Sequence, residues 1–440
     1  MDHAEALEYL DAFADHERMR SFEYPEAFKL DRMRVLLKEF GNPQNAYESV
    51  IIAGSKGKGS TAVILSSVLR MENLRVGLYT SPHLEELNER IQMNGLPISS
   101  PRLVEDVMLL RRLLDSASWR RDPPTYFEVL TALAFHHFKQ MKAHVAVLEV
   151  GLGGLYDSTN VAASKVAGLA PVSLEHTDKL GRTVAKIAVQ KAGIIKSRQI
   201  VVSAPQIPEV EAVFQKAAAQ NEATLWSVGR EIRIFERDHG PEHQRFDLKG
   251  PFGEYRALEL RLLGRHQIDN AAVAVGMAKA LEERARLRVS EAAVRRGVLD
   301  ARWPGRLEKM SARPDLVLDG AQNPESARKL VLALKRHFHY EKLFLVLGVS
   351  SDKDLTGILA ELLPETAVLV ATRSSSPRAV PPAEILAAAE DFSGPKQAAD
   401  GSGDALRAAL RLAGPEDLVL VTGSLYLVGE ARTFVRKEGV

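Results

Sequence analysis

The 440-residue chain contains no cysteine. Disulfide frameworks, thiolate zinc sites, iron–sulfur clusters and cysteine nucleophiles are excluded at once. Net charge is almost absent as well, with 58 Lys and Arg against 57 Asp and Glu. Such a balance supplies no overall drive towards nucleic acid or an anionic membrane, and no basic patch with interleaved aromatics appears. Nothing approaches the ~20 uninterrupted apolar residues that a spanning helix needs. The acidic opening MDHAEALEYLDAFADHE lacks the apolar core of a secretory signal. Low-complexity tracts and short-period repeats are missing too. What remains is a soluble, cytoplasmic α/β protein with neither nucleic acid nor membrane as partner. Its 45% hydrophobic and 26% charged residues are those of a globular chain.

Apolar runs alternate with helix-period segments. Residues 48–53, 75–80, 144–149, 166–174 and 199–203 read as buried strands, with helical stretches at 60–71, 101–115, 126–140 and 183–195 between them. Buried strands separated by helices imply a parallel sheet covered on both faces. Segment 229–263 alternates polar and apolar around Gly and Pro, as a small antiparallel insertion or a sheet edge does. Helices follow at 266–284 and 290–299. DARWPGR then breaks the pattern, and a second strand series begins at 315–320, 342–348, 367–372 and 417–423. The expected architecture is a P-loop-type parallel-sheet domain over 1–302 and a smaller Rossmann-like α/β domain over 303–440.

The strongest local signal is Gly54-Ser55-Lys56-Gly57-Lys58-Gly59-Ser60-Thr61, which follows a strand and opens a helix. Backbone N–H groups and a helix N-terminus in that setting can hold phosphate, and Lys58 can neutralise it. Gly59 rather than Ser or Thr follows the lysine, so this is not the standard phosphate-loop pattern, and a Gly-rich turn with surface lysines is the plainer alternative. Ser81, Glu149 and His176 each follow a predicted strand. In a doubly wound sheet, ligands lie beyond the carboxyl ends of strands, so a hydroxyl, a carboxylate and an imidazole could converge on one metal beside a nucleotide. Singly they read as a helix cap, a loop residue and a core histidine. Lys191 alone reads as a helix-surface residue. Arg306 stands where the two halves meet, and Asp319 ends the first strand of the second half, before Gly320-Ala321-Gln322-Asn323-Pro324. His136-His137 and the Arg-rich helices at 111–121 and 284–296 read as solvated or structural.

Taken together, GSKGKGS, YTSPHL with NERI, PTYFEVLTALAF, EVGLGG, DSTNV, SLEHTDKLG, KAGIIK, LLGRHQIDNA, RWPGRLE, LDGAQNP and VTGSLYLVGEAR resemble the folylpolyglutamate synthase/dihydrofolate synthase family of the Mur ligase superfamily. The matches run in order from about residue 28 to about residue 432. The resemblance implies an ATP-dependent amide ligase that phosphorylates a carboxylate and lets the amine of L-glutamate attack the acyl phosphate, with folate or dihydropteroate as the carboxylate. It implies ATP and Mg²⁺ as cofactors, a monovalent cation as an open addition, and a monomer. Gly54, Gly57, Lys58, Gly59 and Ser60 would hold phosphates, with Asn270, Arg306 and Asp319 contacting ATP. Ser81, Glu149 and His176 would ligate Mg²⁺, and Thr125 and Phe127 would line the pterin pocket. Lys191 would be carbamylated, and it would join Lys58 and Gln322 in catalysis.

Five positions depart from the family pattern. Ser55 and Lys56 replace Thr and Asn in the loop. Leu155 stands where Arg usually follows EVGLGG, Glu175 replaces the usual Asp before His176, and Gln322 replaces His in DGAHNP. These departures leave two rivals: a superfamily ligase acting on a non-folate carboxylate, and a non-catalytic nucleotide-binding paralogue. Intact Lys58, Glu149, His176 and Lys191 argue against the second.

Overall fold

A computed structural model describes residues 1–15, 30–115, 119 and 121–439; the arginine-rich stretch 111–121 falls partly outside them. Eight strands form the first sheet: β1 (Glu48–Ala53), β2 (Val76–Tyr79), β3 (Ile91–Met93), β4 (Leu96–Pro97), β5 (Val145–Glu149), β6 (Ser164–Leu169), β7 (Ile200–Ser203) and β8 (Thr224–Ser227), in the order β4-β3-β2-β5-β1-β6-β7-β8. From β2 to β8 every pairing is parallel; β3 and β4 add an antiparallel edge. The continuous apolar run of β1 follows from burial on both faces. Ile51 and Ala53 face one core with Val129 and Leu133 of the helix Tyr126–Gln140. Val50 and Ile52 face another, with Ile64 and Leu65 of the helix Lys58–Arg70 and Val273 of the helix Arg265–Ala285. Side chains alternate across a strand, so one apolar run serves two cores. Each fully buried Val, Leu or Ile contributes roughly 1.5–3 kcal/mol relative to exposure.

A three-stranded antiparallel unit, β9 (Arg233–His239), β10 (Gln244–Gly250) and β11 (Gly253–Leu260), packs Phe246, Leu248 and Leu258 onto the second of those cores. It is thus an insertion rather than an edge of the large sheet. The second sheet comprises β12 (Glu308–Ala312), β13 (Asp315–Leu318), β14 (Leu343–Leu347), β15 (Val368–Ala371), β16 (Lys396–Ala398) and β17 (Leu418–Thr422), ordered β12-β13-β17-β14-β15-β16, with only β12 antiparallel. The insertion also reaches this half: Glu236 pairs with Arg336 at 2.5 Å and with Arg265 at 2.6 Å.

Two expectations need correction. The strand expected over 166–174 stops at Leu169. Pro171 has no N–H for a ladder, and its carbonyl instead accepts the N–H groups of Ser55 and Lys56. His176 therefore lies seven residues beyond the strand, in a left-handed conformation before the short helix Thr177–Leu180. His136 and His137 take the structural one of the two readings left open for them: both are buried, 3.6 and 3.7 Å from the buried carboxylate of Asp106. Among the described residues no helix is long and apolar enough to cross a membrane.

Candidate active site

The carboxyl end of β1 runs directly into the loop 54–57 and the helix Lys58–Arg70. Gly57 takes φ 83°, and a Cβ there would sit 2.4 Å from Oδ1 of Asn270, so only glycine fits this turn. Asn270, buried, is held from below by donating to Gln267 Oε1 at 2.9 Å. Among the described residues no side chain caps the helix, so its first N–H groups remain directed at the cleft. Nζ of Lys58 folds back to donate to Gly54 O at 3.2 Å, and the Trp303 ring lies against Gly59.

A cleft of about 230 Å³ opens over this loop, lined by Lys58, Ser60, Ser81, Glu149 and Asn270 of the first half and by Arg306, Asp319, Gln322 and Lys329 beyond it. A larger hollow of about 410 Å³ lies on the far side of Pro82 and Trp303. Glu149, buried at the end of β5, accepts the Ser81 N–H at 3.1 Å. Arg306 approaches both Glu149 and Asp319; burial pushes its guanidinium down, and the two carboxylates oppose that. Asp319 accepts N–H groups from Leu307 at 2.8 Å and Ala321 at 2.9 Å, while burial pushes its carboxyl up. One carboxylate thus pins the linker to the second sheet. Gln322 has its backbone N–H on Ser326 Oγ at 3.1 Å, beside the helix Pro324–His337 that Asn323 caps.

Lys191 is 1% exposed and rises beneath the phosphate loop from the helix Val184–Ala192. Its Nζ donates to Gly54 O and to Glu175 Oε1, each at 2.8 Å. Burial pushes this amine down to about 8, opposed by Glu175 and aided by Lys58. Burial alone would raise the Glu175 carboxyl, but Lys191, Lys58 and Lys56 outweigh it and hold it at about 2. His176, at the exposed rim beside this pair, is pushed below its ordinary value by desolvation and then by Lys353, Lys191 and Lys58, with Glu175 opposing.

The structure brings Gly57, Lys58, Gly59, Ser60, Ser81, Glu149, Asn270, Arg306, Asp319 and Gln322 to one cleft. Lys191 reaches it from below through Gly54 O. His176 is not part of the lining. Thr125 caps the helix Tyr126–Gln140 by accepting the Glu128 N–H, and Glu128 in turn accepts from Arg32. Phe127 packs on Tyr79, ring centroids 5.8 Å apart. Neither lines this cleft. Trp303, Gln267 and Lys329 do; Gln267 sits in LLGRHQIDNA, whereas nothing in the sequence pattern marks Lys329. Trp303 sits in RWPGRLE, where its size and the adjacent Pro-Gly break were an available signal.

Residues 52–278 match the Mur ligase middle domain and residues 305–425 the Mur ligase glutamate ligase domain. The folylpolyglutamate synthase of Lacticaseibacillus casei is 34% identical over 404 residues, covering 91% of this chain and 93% of that protein. The dihydrofolate synthase/folylpolyglutamate synthase of Mycobacterium tuberculosis is 35% identical over 439 residues, covering 93% and 90%. A probable bifunctional folylpolyglutamate synthase/dihydropteroate synthase of Haloferax volcanii is 34% identical over 411 residues; this chain spans about half of that protein, 48%. Among solved structures, Mycobacterium tuberculosis folylpolyglutamate synthase complexed with ADP superposes with a TM-score of 0.88 at 34% identity over 98% of each chain. An FPGS–AMPPCP–folate complex gives 0.85 at 32% identity, over 99% of this chain and 100% of that one. The two α/β halves and the phosphate loop facing the linker are those of an ATP-dependent Mur-type ligase. Within that superfamily, the chain belongs to the folylpolyglutamate synthase/dihydrofolate synthase family.

Proposed function

We propose that the chain joins L-glutamate to dihydropteroate, to tetrahydrofolates, or to both, by way of an acyl phosphate. The observation that carries this reading is the single cleft in which the phosphate loop of the first sheet faces Arg306 and Asp319 of the second half. Residues 1–302 serve as the ATP- and folate-binding domain and residues 303–440 as the glutamate ligase domain. The chain works as a monomer in the cytoplasm.

A carboxylate has a poor leaving group, so one of its oxygens first attacks the γ-phosphorus of ATP and ADP departs. The free amine of glutamate then attacks the acyl carbon, the tetrahedral adduct loses a proton, and phosphate leaves as the amide forms. Charge develops on phosphoryl oxygens in the first step and on the carbonyl oxygen in the second. Lys58, Arg306 and the open helix N-terminus are cationic or dipolar groups fixed around that position. Asn270 holds the loop, and Gln322 can orient a substrate oxygen or amine without titrating, which the histidine usual at this position would do.

The donors present suit Mg²⁺, which prefers oxygen ligands and keeps several waters. Among the described residues no three His, Asp or Glu side chains are grouped to hold a metal; Ser81 and Glu149 line the cleft and would supply the oxygen ligands, while His176, outside that lining, would join them only if its loop moves inward on binding. Bound there, Mg²⁺ supplies charge neutralisation for phosphate oxygens. A monovalent cation and a carbamate on Lys191 belong to the same reading, as does a pterin site near Thr125 and Phe127. The apolar Leu155, packed against Gly193 rather than offering a cation, is the feature that favours a different carboxylate.

Phosphate release measured with ATP, glutamate and a panel of pteroates and folates tests the reading. It should require all three substrates. Glutamate-dependent release on none of the panel would transfer the activity to another carboxylate.

A further inference from the structure

Three segments of the sequence patterns have no part in the chemistry above: the LEEL run after Ser81, the Glu of RWPGRLE and the GEAR that ends VTGSLYLVGEAR. The fold brings them together. Arg432, on the helix Leu425–Glu438, is 9% exposed. Its Nε donates to both carboxylate oxygens of Glu308, each at 3.0 Å, and its Nη1 pairs with Glu85. Thr433 Oγ1 also donates to Glu85, at 2.7 Å. Glu308 accepts the Gly305 N–H at 2.8 Å, one residue before Arg306. On the other side, Glu89 accepts the N–H groups of Leu84, Glu85 and Glu86 at 2.8, 3.1 and 3.1 Å, so one carboxylate holds three consecutive amides of the loop following Ser81. The packing is as close as the pairing. A Cβ on Gly429 would lie 2.0 Å from the Leu84 carbonyl oxygen, and Leu84 also packs against Gly305.

We propose that Arg432 is a positioning residue: it ties the loop carrying Ser81 to the linker carrying Arg306, so that docking of the second sheet and assembly of the ATP cleft become one event. Two carboxylates from different halves share one guanidinium, and each belongs to a segment that delivers a different cleft residue. Without the guanidinium, Glu85 and Glu308 become like charges facing each other in a partly buried seam. The loop and the linker then separate, while the phosphate loop itself stays intact. This inference rests on the ligase reading for its kinetic arm only.

Arg432→Ala should lower kcat roughly ten- to hundredfold, the cost of misplacing reacting groups by about an ångström. KM for ATP should move much less, since Gly57, Lys58 and Asn270 are untouched. Arg432→Lys, or free guanidinium added to Arg432→Ala, should restore part of the loss, which a variant that merely unfolds could not show. Arg436→Ala, which removes an exposed partner 3.5 Å from Glu85, should stay within about twofold of the parent. Hydrogen exchange of the full-length protein supplies a readout independent of substrate: Arg432→Ala should speed exchange at the Gly305 amide and at 84–86. Unchanged exchange there, or a kcat loss matched by the unfolded fraction and rescued by neither lysine nor guanidinium, would overturn the proposal. If the parent glutamylates no folate while exchange responds as stated, the substrate reading fails and the positioning role stands.

Discussion

Glu149→Ala should lower kcat by at least about a thousandfold while the protein remains folded. Glu149 ends a central strand, is 5% exposed, and holds its carboxylate between the Ser81 backbone and the Arg306 guanidinium. Its removal would take away an oxygen donor for the proposed Mg²⁺ and delete one of the two carboxylates that oppose the desolvation of Arg306. Asp319 still faces Arg306, and the apolar faces of β5 are unaffected, so folding should survive. Glu149→Gln keeps the volume and the hydrogen bond from Ser81 but not the charge, and should be nearly as inactive. Steady-state turnover alongside thermal unfolding checks both variants. More than a tenth of parental activity in the glutamine variant would remove Glu149 from the metal set.

A comparable loss is expected at Lys191. Carbamylation joins the neutral amine to carbon dioxide and releases one proton, so it requires an amine that titrates low. Burial has brought this one to about 8, and Lys58 and Lys56 remain to balance the carbamate where Glu175 now pairs with the ammonium. The direction with pH follows. Between pH 8.5 and pH 7 the neutral fraction of a group titrating near 8 falls from about three-quarters to about a tenth. Activity should therefore depend on bicarbonate more strongly at pH 7 than at pH 8.5. Lys191→Ala should lose roughly a hundredfold or more, and short carboxylates should restore part of it by occupying the vacated space. Labelled bicarbonate should give a carbamate carbon resonance that is absent from the variant. Turnover indifferent to bicarbonate at both pH values, with no such resonance, would refute the modification.

Strand runs such as 48–53 and 144–149 were legible because apolar continuity of that length needs burial on both faces, and β1 and β5 have it. The hairpin of β3 and β4 is two or three residues a side, too short for periodicity; its only signal was Asn94-Gly95, both of which take positive φ. In the cleft, Lys58, Ser81 and Glu149 were readable because each follows a strand that ends where the first sheet delivers ligands. His176 misled by the same logic. Its apolar approach, VAGLAPVSL, looks like one strand, but Pro171 stops the ladder and turns its carbonyl to the phosphate loop. Thr125 as a helix cap was equally open to sequence reasoning, since Glu128 completes a capping box three residues on. The Glu85–Arg432–Glu308 seam was not: its members lie more than 200 residues apart at one step, and charge alone names no partner.

In a reaction that passes through an acyl phosphate, phosphate leaves carrying an oxygen that began on the substrate carboxylate. Folate or dihydropteroate labelled with ¹⁸O in the reacting carboxyl group, incubated with ATP and glutamate, separates the possibilities by mass spectrometry of the released phosphate. The acyl-phosphate route gives one ¹⁸O in each phosphate and one retained in the new amide. Amide formation with unlabelled phosphate would contradict it.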